Sequence, residues 1–90
     1  MLIPLSRQQG EPRAYKLIVP GHDEQARLRT HDGHEWLYVL RGRLRVRLGD
    51  HDFIMTAGEA AEFDCHIPHW FGAAGNGSVE VLSLFGKSGE

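Results

Sequence analysis

The stretch Glu35-Trp36-Leu37-Tyr38-Val39-Leu40-Arg41-Gly42-Arg43-Leu44-Arg45-Val46-Arg47-Leu48-Gly49-Asp50 decides how this chain folds. It divides at Gly42. After the glycine, Leu44, Val46 and Leu48 alternate strictly with Arg43, Arg45 and Arg47, the period of a strand with one face buried. Before it, Trp36 to Leu40 is an unbroken apolar run. That run reads as a strand with apolar residues on both faces. Gly49-Asp50 suits a tight hairpin turn, and Phe53 to Met55 is the returning strand.

The same pattern extends in both directions. Upstream, Tyr15 to Val19 reads as a strand ended by Pro20-Gly21, and Ala26 to Thr30 as a second, with Leu28 as its apolar member. Downstream, Ala57-Gly58-Glu59 is a turn, Ala61 to Phe63 begins a strand, and Pro68 to Phe71 forms the next. Gly72 to Gly77 reads as a glycine-rich loop. Val79 to Phe85 closes the set, with Val79, Val81, Ser83 and Phe85 on one face and Glu80, Leu82 and Leu84 on the other. Gly58 to Phe63 is too short to stand alone as a helix. Short strands at roughly 8–12-residue spacing are the signature of an all-β sandwich or barrel.

Ninety residues make one domain. A hydrophobic fraction of 41% supports a modest core. No apolar run approaches a membrane span, and the start of the chain lacks the basic and apolar regions of a signal peptide. A net charge of −2 argues against a dedicated nucleic-acid-binding module. Cys65 is the only cysteine, so no internal disulfide is available, which fits a reducing cytoplasm.

Six histidines are many for this length. His31 and Glu35 introduce one apolar run, and His69 opens another. Two imidazoles and one carboxylate beside strands could converge in a barrel and bind a divalent metal with positions left open for a ligand. Residue type does not choose among iron, manganese, nickel and zinc. The alternative is a metal-free, hydrogen-bonded polar cluster. His34 points to the opposite face from Glu35. His22, His51 and His66 read as surface residues, and Cys65 as a small buried residue, the alternative being a soft metal ligand or redox thiol. Arg29 either faces inward to hold a carboxylate or phosphate or is a solvated strand residue. Trp70 and Phe71 flank His69, so a pocket wall formed by them is expected. The stripe of Arg43, Arg45 and Arg47 reads as a solvated strand face that discourages edge pairing.

These residues resemble the cupin pattern. Its first motif reads H-x-H-x(3,4)-E-x(6)-G; His31, Glu35 and Gly42 fall on its second His, its Glu and its Gly, while Arg29 replaces the first His. Gly58-Glu59 and Pro68-His69 match the start and end of the second motif, and the Asn that often follows is missing. More narrowly, the chain is similar to cupin sensor domains that follow a helix-turn-helix in bacterial transcriptional regulators. The resemblance implies a double-stranded β-helix, a jelly-roll-like barrel of about eight strands, over residues 14–86. Residues 1–13 would be an N-terminal arm and 87–90 a tail.

The resemblance implies a metal held by His31, Glu35 and His69, and a small-molecule ligand near Arg29, Trp70 and Phe71. The expected function is a ligand-binding or sensor module. The alternatives are a free-standing metal-dependent enzyme of isomerase or dioxygenase type, and a metal-free structural or interaction domain. Residues 1–13 are too short for a DNA-binding domain, so the chain is expected to be a fragment of a regulator or a free-standing relative, without direct nucleic-acid contact of its own. The apolar faces of Trp36 to Leu40 predict a homodimer.

Overall fold

The computed structural model describes residues 2–5, 13–21 and 27–86. Eight strands run through them: β1 (Leu2–Pro4), β2 (Arg13–Val19), β3 (His34–Arg41), β4 (Arg43–Leu48), β5 (His51–Thr56), β6 (Ala60–Asp64), β7 (His69–Ala73) and β8 (Val79–Gly86). There is no helix among the described residues. A five-stranded sheet has the order β1-β2-β8-β3-β6, and a three-stranded sheet the order β5-β4-β7. Every pairing is antiparallel.

Alternation explains which side chains meet between the sheets. On β3, Leu37 and Val39 are fully buried; on β4, Leu44 and Val46; on β8, Val79 and Val81. Met55, Phe63, Cys65 and Ala73 complete this core. The inward and outward faces of β4 and β8 are those expected from sequence. Fully burying each Val or Leu contributes about 1.5–3 kcal/mol, and the residues that do so come from both sheets.

Gly42 makes the corner between them. Its φ of +94° is in the region that favours glycine, and a Cβ there would come within 2.9 Å of the Ser78 carbonyl oxygen. The pairing of β3 with β8 shifts register between Val39 and Arg41, just before that corner.

Three segments differ from expectation. Residues 27–30 form no full strand; Arg29 makes one isolated bridge to His69, while Ala26 lies outside the described residues, as does His22. Leu28, the apolar member of this segment, is 39% exposed, because the bridge turns Arg29 to the His69 side and the pleat sends Leu28 the other way. Gly72 and Ala73 belong to β7, paired with Arg45 and Leu44 on β4. Leu2–Pro4, not read as a strand from sequence, pairs with β2.

Candidate metal centre and ligand cavity

His31 and His69 come together although 38 residues separate them. One isolated bridge and one further backbone hydrogen bond do this. The Arg29 N–H donates to the His69 carbonyl and the His69 N–H to the Arg29 carbonyl, both at 2.9 Å, and the His31 N–H donates to the Cys65 carbonyl at 3.0 Å. The extended segment 27–31 is thus laid along the edge of β7 and the turn before it.

The two rings face each other with Nε2 atoms 3.2 Å apart. Each Nδ1 is committed elsewhere: that of His69 lies 2.9 Å from the Ile67 carbonyl oxygen, and that of His31 2.9 Å from the Asp32 carbonyl oxygen. A carbonyl only accepts, so both Nδ1 atoms donate and the neutral rings carry their lone pairs on Nε2. Two lone pairs aimed at each other need a proton or a cation between them. Two bonds of about 2.0–2.1 Å to one metal, spanning this separation, subtend an angle of about 100°, between octahedral and tetrahedral values. The imidazole pair therefore fits a metal ion. Its outer hydrogen-bond acceptors are backbone carbonyls, the usual means of fixing a ligating histidine.

The donor atoms of His31, Cys65 and His69 all lie within 4.8 Å of one another. From sequence Cys65 reads first as a small buried residue and only second as a soft ligand; it is buried, and the turn after β6 brings its thiol into this set. Burial, aided by the charges of Glu35 and Asp64, pushes that thiol up to about 11, so it is protonated at neutral pH unless a metal displaces the proton. Glu35 stands outside this close set but in the same cavity. It is 9% exposed, and Ser83 Oγ donates to its Oε2 at 2.9 Å. Burial raises its carboxyl above the ordinary value, against the opposing pull of the Ser83 hydrogen bond and the two histidines. Phe63 packs with its ring centre 5.1 Å from that of His69, and Phe85 5.8 Å from that of His31; His69 is buried while His31 is exposed.

A cavity of about 570 Å³ opens here, lined by Arg27, Arg29, His31, Glu35, His69, Trp70 and Phe71. Its size is that of a small-molecule site. Every residue singled out as ligand or pocket wall from sequence borders it, together with Arg27, which was not. Phe71 lies on the inner side of β7. Trp70 lies on the outer side, its ring where a Cβ on Gly72 would fall, with the Arg45 guanidinium 5.9 Å from the ring centre. Arg45 also pairs with Asp52 at 2.6 Å. His34 is turned away to Glu62 at 3.0 Å. His66 is exposed and bridges Asp32 and Asp64 at 2.8 and 3.0 Å.

The family described as "Cupin domain" matches residues 15–85. Several solved structures share the fold. The Schizosaccharomyces pombe Cnp3 cupin domain superposes with a TM-score of 0.83 at 12% identity, over 97% of this chain and 60% of that one. Iron(II) HppE in complex with substrate gives 0.81 at 23% identity, over 93% of this chain and 52% of that one. The cupin domain of an XRE family transcriptional regulator from Enterobacter cloacae gives 0.80 at 18% identity, over 99% and 97%. The chain thus spans between half and two thirds of the length of the first two. A search of curated proteins finds no match.

Proposed function

The chain belongs to the cupin domain family, and from that premise we propose that it is a metal-binding module that holds a small-molecule ligand in its barrel. The observation that carries this reading is the convergence of two Nε2 lone pairs at 3.2 Å on the floor of an open cavity. His31 and His69 are the fixed ligands. Glu35 is the third ligand expected from the motif, and Cys65 supplies the third donor of the compact set. A metal bound there supplies a Lewis-acid position for an oxygen or nitrogen of the ligand. Arg29, Trp70 and Phe71 bound the space the ligand occupies, and Phe63 and Phe85 pack beside the His69 and His31 rings.

The shared fold with a regulator's cupin domain supports a sensor role, with DNA contact left to another domain or partner. The setting we propose is cytoplasmic, where the free thiol of Cys65 persists. One observation favours a second reading, a metal-dependent enzyme of isomerase or dioxygenase type. Glu35 is a buried carboxyl with a raised pKa beside two histidines, the environment of a general acid or base.

Elemental analysis of the protein with His31→Ala and His69→Ala tests the site. Near-stoichiometric metal in the wild type, lost in both variants, is the expected result. No metal after incubation with iron(II), manganese(II), nickel(II) and zinc(II) overturns it in favour of a metal-free domain. Cobalt(II) loading then assigns the third ligand. A near-ultraviolet thiolate band that vanishes in Cys65→Ala marks sulfur ligation; its absence with cobalt retained excludes Cys65, and weakened cobalt binding in Glu35→Gln then assigns Glu35.

A further inference from the structure

One wall of the cavity carries chemistry that metal binding leaves unused. Arg27, Arg29 and His31 alternate along an extended segment, so their side chains share a face, and all three line the cavity. Same-face neighbours on such a segment are about 6.5–7 Å apart at the backbone, close enough for two long guanidinium forks to reach one group. Arg29 sits directly opposite His69 in a mutually hydrogen-bonded pair. Among the described residues, neither Arg27 nor Arg29 has an ion-pair partner, whereas Arg45 is paired with Asp52 and Lys16 with Glu80. The nearest acid in the cavity, Glu35, is held by Ser83 instead. Among the lining residues two guanidinium forks stand against one carboxylate, a positive excess, and guanidinium is the side chain whose geometry matches planar and tetrahedral oxyanions. Phe71 adds apolar wall for a carbon skeleton.

We infer that Arg27 and Arg29 together clamp the oxyanion, carboxylate or phosphoryl, of a small organic acid whose other end lies toward His31 and His69. This inference rests on reading the cavity as a ligand site and names the class of ligand it takes.

The test is calorimetric titration of inorganic phosphate and of malonate, at low salt, into chelator-treated and zinc(II)-treated protein. The wild type, Arg27→Gln/Arg29→Gln and His31→Ala/His69→Ala are compared. The clamp predicts saturable binding of at least one anion to the wild type, weakened tenfold or more in the arginine variant and retained in the metal-free histidine variant. Arg27→Lys/Arg29→Lys, which keeps the charge and loses the forks, falls between. Preference for phosphate identifies a phosphoryl ligand, and preference for malonate a carboxylate. No saturable binding of either anion by wild type, or equal affinity in wild type and the Gln variant, overturns the clamp. Anion binding that requires zinc and ignores the arginines also overturns it, while leaving the metal site standing. Anion binding that survives in wild-type protein that takes up no zinc overturns the metal site alone.

Discussion

Glu35 is buried among Phe63, Phe85 and the two imidazoles, and desolvation lifts its carboxyl above the ordinary 4.5. In metal-free protein the folded state therefore holds this proton more tightly than the unfolded chain. The stability it contributes is fully present below 4.5 and is lost as pH rises through the folded value. His66, raised above 6.5 by its hydrogen bond to Asp32 and the Asp64 charge, acts in the same direction in a higher window. Asp52 and Asp64, lowered by Arg45 and His66, act oppositely, and their contribution is lost as pH falls below 3.8. Metal-free protein is thus expected to melt highest in mildly acidic buffer. Glu35→Gln should flatten the decline above pH 4.5 and raise the melting temperature at pH 7; an unchanged pH profile in thermal denaturation would contradict this. The sequence made His31, Glu35 and His69 legible because motif spacing ties them to particular strand ends. Cys65 was not, since one cysteine has no spacing partner and only the turn after β6 delivers it. Arg27 was missed because it falls on no motif position, and only its shared parity with Arg29 along the segment brings it to the cavity. The acceptors on Ile67 and Asp32 are backbone carbonyls, which no side-chain pattern reveals.

At the scale of elements, β3 is central: it pairs with β6 on one side and β8 on the other. Leu37 at its middle is fully buried, so Leu37→Ala is expected to cost about 2–5 kcal/mol by denaturant unfolding. The corner at Gly42 is a different constraint. Alanine there needs an unfavourable φ and meets the Ser78 carbonyl, and the expected loss is about 1–3 kcal/mol. A loss no larger than for Gly75→Ala, where a Cβ meets nothing within 4 Å, would show that the corner relaxes freely. Strand existence was readable wherever one face is buried, as the clean alternation of β4 and β8 shows. β1 and the 27–31 segment carried little such signal, because their pairing depends on a distant edge more than on their own apolar residues.

For the molecule as a whole, the outer face of the five-stranded sheet is a candidate dimer surface. Trp36 and Tyr38 stack there with centroids 5.9 Å apart, opposite Leu84 and Leu82 on β8. We expect sedimentation equilibrium to give a dimer and Trp36→Glu a monomer; a wild-type monomer at all concentrations would remove this proposal. Metal binding should raise the melting temperature by on the order of 10 °C at a hundredfold excess over Kd, from a linkage term of about 2.7 kcal/mol, and a chelator should reverse it.

The bridge between Arg29 and His69 has a consequence for solubility. Segment 27–31 bonds the start of β7, at His69, on the side that β4 does not, so the same few backbone bonds that assemble the cavity also shield the end of a strand edge. Detaching that segment would expose N–H and C=O groups of β7 to another chain. Metal-depleted protein, in which no ion ties His31 to His69, is therefore the form in which intermolecular strand pairing should begin, and filling the site would act as protection against aggregation.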